Sequence, residues 1–127
     1  MIGIDTSTWV AFLSGYAGTD THVLDRALRD QQAVMVPVVL TELLSDPRIS
    51  QDVVEKLLGI PLLDVERDYW QRAGQTRAKV LAKRRKVRLA DALISQSCID
   101  RGIPLVTRDR DFDVFAQAAG LDLIFGI

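Results

Sequence analysis

Four acidic side chains, Asp5, Glu42, Asp91 and Asp109, are the residues of this sequence best suited to do chemistry. They lie 37, 49 and 18 residues apart, so only a fold can gather them. Each falls where an apolar run ends or near the start of an expected helix. Taken singly, each has an ordinary explanation. Asp91 in a first turn offsets a helix dipole, Asp109 and Asp111 suit a solvated turn, and Glu42 suits an exposed helix face. As a set they point elsewhere. Carboxylates within a few ångströms of one another repel, and some take up protons unless a cation compensates. Hard oxygen donors suit Mg²⁺ or Mn²⁺, and such an ion lowers the pKa of a bound water and clamps a phosphodiester for in-line displacement. That chemistry needs no nucleophilic side chain. Ser7 and Thr107 stand beside candidate ligands, where each could hydrogen-bond a metal water, a phosphate oxygen or local backbone.

The same chain offers little for other mechanisms. It has one histidine, His22, and one cysteine, Cys98. A zinc site or a histidine-based triad needs several such partners, and a lone cysteine forms no internal disulfide. Cys98 lies in an amphipathic stretch and reads as a small buried apolar residue. No Gly-x-x-x-x-Gly-Lys is present, which excludes a P-loop.

The elements that must position the acids alternate between strand-like and helical runs. Met1 to Asp5 reads as a first strand, with Thr6, Ser7 and Thr8 as N-cap candidates for a helix through Leu13. Asp20 to Gln31 has helical spacing, and Ala33 to Val36 is a second strand. Pro37 suits the first turn of a helix carrying Glu42, and Ser50 caps a further helix ending at Leu58 before Gly59. Ile60 to Val65 is expected to be a third strand and Arg67 to about Lys86 a long helix. Trp9, Tyr69 and Trp70 are expected to face the core. Leu89 to Arg101 is a helix stopped by Gly102, Leu105 to Thr107 a fourth strand, Phe112 to Ala119 a short helix, and Leu121 to Phe125 a last strand. This alternation predicts an α/β fold with a mainly parallel sheet. Ligand sites in such sheets form beyond the carboxyl ends of the strands, where these acids fall.

The chain has 127 residues, of which 48% are apolar and 26% charged, the profile of one globular domain over 1–127. No apolar run is long enough to span a membrane, and no basic segment followed by an apolar one opens the chain, so a cytoplasmic protein is expected. The net charge of −1 is unevenly spread. From Arg77 to Arg88 there are seven basic residues and no acid. Lys83, Arg84, Arg85 and Lys86 are therefore candidates for holding the backbone of an RNA near an acidic centre, although basic residues also simply solvate the end of a helix.

Met1-Ile2-Gly3-Ile4-Asp5-Thr6-Ser7, Leu40-Thr41-Glu42-Leu43, Leu89-Ala90-Asp91-Ala92-Leu93-Ile94 and Leu105-Val106-Thr107-Arg108-Asp109-Arg110-Asp111-Phe112 together resemble the PIN domain, and more narrowly the VapC-type ribonuclease toxins of toxin–antitoxin pairs. The resemblance covers nearly the whole chain, with all four motifs in family order. It implies a three-layer α/β/α sandwich around a mainly parallel sheet, and an endoribonuclease dependent on Mg²⁺ or Mn²⁺. It implies that Asp5, Glu42, Asp91 and Asp109 form the acidic site, with Asp5 and Asp91 the usual direct ligands and Asp109 a further candidate. Asp111 matches a more variable acid. It also implies a homodimer and a cognate antitoxin that blocks the site. Two other classes remain open on the residues alone. One is a phosphoryl-transfer domain using Asp5 as nucleophile. The haloacid-dehalogenase pattern wants an Asp where this chain has Ser7, and a receiver domain wants a Lys where it has Thr107-Arg108. The other is a non-catalytic metal- or RNA-binding module.

Overall fold

Ile2–Ile4 forms the first strand, β1, and the next two helices, α1 (Thr6–Leu13) and α2 (Thr19–Arg29), carry the chain to β2 (Ala33–Val34). These come from a computed structural model that describes residues 1–83 and 86–125. Pro37 begins α3 (Pro37–Leu44) at a position whose missing N–H costs nothing. The Ser50 hydroxyl caps α4 (Gln51–Leu58) by accepting from the Val53 N–H. The helices α5 (Tyr69–Leu81) and α6 (Leu89–Arg101) follow, and Gly102, at φ +62°, ends α6 in the left-handed conformation that glycine adopts without steric cost. Then come β3 (Leu105–Thr107), a 3-10 turn (Arg110–Phe112), α7 (Asp113–Ala119) and β4 (Leu123–Phe125).

All strand pairings are parallel and the sheet order is β2-β1-β3-β4. The connection from β1 steps outward to β2, while those leading to β3 and β4 run the other way. Right-handed crossovers therefore send their helices to opposite faces of the sheet. The packing agrees: α1 and α2 lie together and α2 touches β2, β3 and β4, whereas α5, α6 and α7 pack against one another. Ile4, Leu24, Val36, Leu105, Val106 and Phe115 are fully or almost fully buried between the layers. The expected α/β architecture is thus present. Among the described residues no helix is long and apolar enough to cross a membrane.

Three local expectations are corrected. Ile60 to Val65 is not a strand. Only Met35 and Leu62 form an isolated bridge there, with the Met35 N–H donating to the Pro61 carbonyl at 2.7 Å and the Leu63 N–H to the Met35 carbonyl at 2.9 Å. Pro61 has no N–H to extend a ladder, which confines the segment to one rung. The long helix begins at Tyr69 and ends at Leu81 rather than running from Arg67 to Lys86. Ala82 and Lys83 follow as an exposed turn, and Arg84 and Arg85, within the expected span, lie outside the described residues. Trp70 is 63% exposed, unlike Trp9 and Tyr69, which are buried. Tyr69, Ala73 and Val80 form the inward stripe of α5, and at 3.6 residues per turn the next residue, Trp70, points well away from it.

The sheet and α6 approach closely at Gly3. A Cβ built there would lie 2.8 Å from the Cys98 sulfur, closer than real Cβ contacts allow. Cys98 is fully buried, and burial pushes its thiol up to about 12, so it acts as a small apolar core residue as expected. Gly3→Ala should destabilise the protein by about 1–3 kcal/mol, the usual cost of overpacking a core. Adding Cys98→Ala should recover part of that loss in a double-mutant cycle followed by chemical denaturation. Purely additive effects would place the conflict elsewhere.

Candidate active site

The sheet reverses its direction of growth between β1 and β3, and a crevice opens beyond the carboxyl ends of those strands. The register pairs Ile4 with Val106, and the Asp5 N–H donates to the Val106 carbonyl at 2.9 Å. One residue further on, Asp5 and Thr107 stand side by side although 102 positions separate them. The acid that ends β1 and the Thr-Arg-Asp segment that ends β3 are thereby locked into one site by strand pairing.

Asp5 is itself the N-cap of α1, in extended conformation with its carboxylate accepting from the Ser7 N–H. This corrects the expectation that Thr6, Ser7 or Thr8 caps the helix. A carboxylate serves as well as a hydroxyl and favours the positive end of the dipole. Three donors converge on Oδ2 of Asp5: the Ser7 hydroxyl at 2.6 Å, the Thr107 hydroxyl at 2.9 Å and the Ser7 N–H at 3.4 Å. Burial still raises the Asp5 pKa above the ordinary carboxylate value, with those hydrogen bonds opposing the shift. The Thr107 oxygen also accepts the Asp109 N–H at 3.0 Å, so one buried hydroxyl joins both acids. The Asp109 carboxylate in turn accepts the Asp111 N–H at 2.9 Å, which shapes the 3-10 turn.

Glu42, on α3, accepts from the Thr6 hydroxyl at 2.6 Å. Asp91 lies in the first turn of α6 and is almost fully buried. Its pKa is pushed up to about 6, first by burial and further by the charges of Asp5 and Asp109, while Arg88 pulls it down. Asp5, Ser7, Glu42, Asp91 and Asp109 line one cavity of about 270 Å³ together with Thr6, Arg88 and Ala90. The four expected acids and Ser7 thus meet in one place, and Thr107 lies buried behind them. A larger groove of about 790 Å³ shares Arg88 and Asp91 and is lined also by Lys86 and Asp111. Asp111 therefore stands outside the acid cavity, at the groove. Lys83 is exposed beyond the end of α5, and Arg84 and Arg85 lie outside the described residues.

Two basic residues of the site region escaped the sequence reading. Arg88, counted only as the last member of the basic run, reaches Asp91 at 3.3 Å and Asp109 at 3.0 Å. Its place three residues before Asp91 was the available signal, since i and i+3 share a helix face. Arg108 makes a two-pronged pair with the fully buried Asp20, at 2.8 and 2.9 Å, and Asp20 also accepts from the Thr8 hydroxyl at 2.9 Å. This pair fastens the segment between Thr107 and Asp109 to the start of α2. Nothing in the spacing of residues 20 and 108 announced it.

An oxygen-only donor set around one cavity fits a hard divalent cation. Asp5, Asp91 and Asp109 could hold one, with Glu42 within reach through water. Among the described residues, however, no three acidic, histidine or cysteine side chains already cage a cation as they stand. Asp91 and Asp109 are instead engaged with Arg88.

The PIN-domain family model matches residues 2–118. A VapC ribonuclease of Mycobacterium bovis and the ribonuclease VapC11 of Mycobacterium tuberculosis are each 31% identical to the chain over 128 residues, covering 95% of it and 96% of the relative. Among solved structures, VapBC2 of Rickettsia felis bound to a DNA fragment from its promoter is similar with a TM-score of 0.75 at 19% identity, covering 98% of both chains. VapBC-5 of Mycobacterium tuberculosis, a member of the VapBC family of toxin–antitoxin systems, gives 0.69 at 22% identity, covering 97% of this chain and 96% of its own. At those identities the structures speak for the fold.

The buried Asp20–Arg108 pair generates a test with a defined sign. Hydrogen bonding to Arg108 holds the Asp20 carboxyl below its ordinary value of 3.8. A carboxyl depressed in the folded state contributes stability above its unfolded pKa and loses it as pH falls through the folded one. Asp20→Asn should lower stability near neutral pH by about 1–3 kcal/mol, since one-third-exposed Arg108 can partly rehydrate. The variant should also lose less additional stability than the parent between pH 4 and the acid transition. Parallel melting curves across that range would refute the pairing.

Proposed function

The chain belongs to the PIN-domain family, among the VapC ribonucleases, and we propose that it is a Mg²⁺- or Mn²⁺-dependent endoribonuclease and the toxin of a type II toxin–antitoxin pair. One observation carries the reading: Asp5, Glu42, Asp91 and Asp109, drawn from four separate parts of the chain, line a single cavity at the point where the parallel sheet reverses direction. The names of its relatives support ribonuclease activity and a toxin–antitoxin setting.

In this reading a bound divalent ion supplies an activated water and charge neutralisation at the phosphodiester. Asp5, Asp91 and Asp109 would hold it. Ser7 and Thr107 fix the Asp5 carboxylate against rotation, and the Thr107 link fixes Asp109 relative to it. Glu42, braced by Thr6, would orient water at the cavity mouth. RNA phosphates would lie along the adjoining groove, where Lys86 faces them and Lys83, with Arg84 and Arg85 on the same run, adds positive charge. A cognate antitoxin and a second copy of the chain complete the proposed assembly.

The test compares the purified chain with Asp5→Ala on mixed RNA, in Mg²⁺, Mn²⁺ or EDTA. Cleavage should require metal and fall at least about a hundredfold in the variant, the upper end of what loss of an outer-shell partner already costs. Millimolar Mn²⁺ should raise the melting temperature of the chain and leave that of Asp5→Ala unmoved, because only a folded site binds the ion. Metal binding without any RNA cleavage would instead favour a non-catalytic module.

A further inference from the structure

We propose that Arg88 is the resident cation of the acidic site, exchanged for a divalent ion on loading and thereby freed to hold the phosphate of the RNA; this rests on the reading above. The guanidinium reaches across the cavity. Its Nε lies 3.3 Å from one oxygen of Asp91, its Nη2 lies 3.0 Å from Asp109, and the same Nη2 lies 3.9 Å from Asp111. Three carboxylates from α6 and the turn after β3 thus share one positive charge.

The contact is built to be given up. Arg88 occupies the N-cap position of α6, yet its side chain makes no capping hydrogen bond, so the helix start does not depend on it. The side chain is 66% exposed. Water competes freely for the guanidinium, while the buried Asp91 on the other side of the pair, only 9% exposed, still calls for a cation of some kind. A divalent ion among Asp5, Asp91 and Asp109 would neutralise the charge that now holds Arg88 and would repel it. The two cations are alternatives for the same carboxylates, Asp91 and Asp109.

Displacement leaves the guanidinium where a substrate needs it. Arg88 lines both the acid cavity and the larger groove that Lys86 also borders. Its planar fork matches two phosphate oxygens, which a lysine ammonium does not. One side chain thereby keeps the carboxylates compensated before loading and engages RNA after it.

Mn²⁺ titration by calorimetry, together with RNA cleavage at saturating Mn²⁺, separates the two roles in Arg88→Gln and Arg88→Lys. Arg88→Gln should bind Mn²⁺ about tenfold more tightly than the parent, since a single and a double positive charge a few ångströms apart repel appreciably even in water. It should nevertheless cleave more slowly, with a raised KM for RNA. Arg88→Lys should keep near-parental Mn²⁺ affinity, because the charge remains, and still cleave slowly for want of the fork. In EDTA the melting temperature should stay close to the parent for Arg88→Lys and fall modestly for Arg88→Gln, which leaves Asp91 without its cation. Unchanged or weaker Mn²⁺ binding by Arg88→Gln, with a parent that binds and cleaves, would overturn the Arg88 role alone. A parent that takes up no Mn²⁺ would overturn the proposed function and this role together.

Discussion

Negative charge gathered at the carboxyl end of a parallel sheet repels itself, and the local structure is arranged around that repulsion. Asp5 and Asp91 are both largely removed from water; burial raises the pKa of each, and the charges of Asp5 and Asp109 raise that of Asp91 further. Two kinds of compensation are present. Hydrogen bonds from Ser7 and Thr107 favour the ionised form of Asp5, and the charge of Arg88, which also pairs with Asp109, favours that of Asp91. The burial and repulsion that remain are the basis for the proposed binding of a divalent ion there.

Rigidity comes from the strands rather than from the acids. Pairing of β1 with β3 brings residues 5 and 107 together, and the Asp20–Arg108 pair anchors the chain on the next residue to α2 and, through Thr8, to α1. The carboxylates of Asp5 and Asp109 therefore sit on backbone that is held from two sides. Arg88 and Asp111, by contrast, are on the exposed side and carry the adjustable part of the site.

Much of this was legible from residue order. A strand ending in Asp5, a helix opening just before Asp91 and a Thr-x-Asp after an apolar triplet mark positions that only an α/β topology gathers, and the four acids do line one cavity. What stayed hidden depends on long-range partners. A two-residue strand such as β2 and the single rung at Leu62 are decided by pairing, and apolar content alone made Ile60 to Val65 look like a full strand. Trp70 reads as core by composition and lies outside because Tyr69 takes the inward position of α5. Arg88 belonged by spacing to a basic run, and its engagement with Asp109 depends on the fold placing the start of α6 beside the turn after β3. The closeness of Asp20 and Arg108 has no local trace at all, since both are ordinary surface residue types until the fold pairs them.

Crystals grown with Mn²⁺ and measured at a wavelength where manganese scatters anomalously would address the central claim most directly. The expected map holds a peak within coordination distance of Asp5 and Asp91, beside Asp109, with the Arg88 guanidinium turned out towards the groove. A cavity without that peak, or a manganese ion bound elsewhere while Arg88 still bridges Asp91 and Asp109, would contradict it.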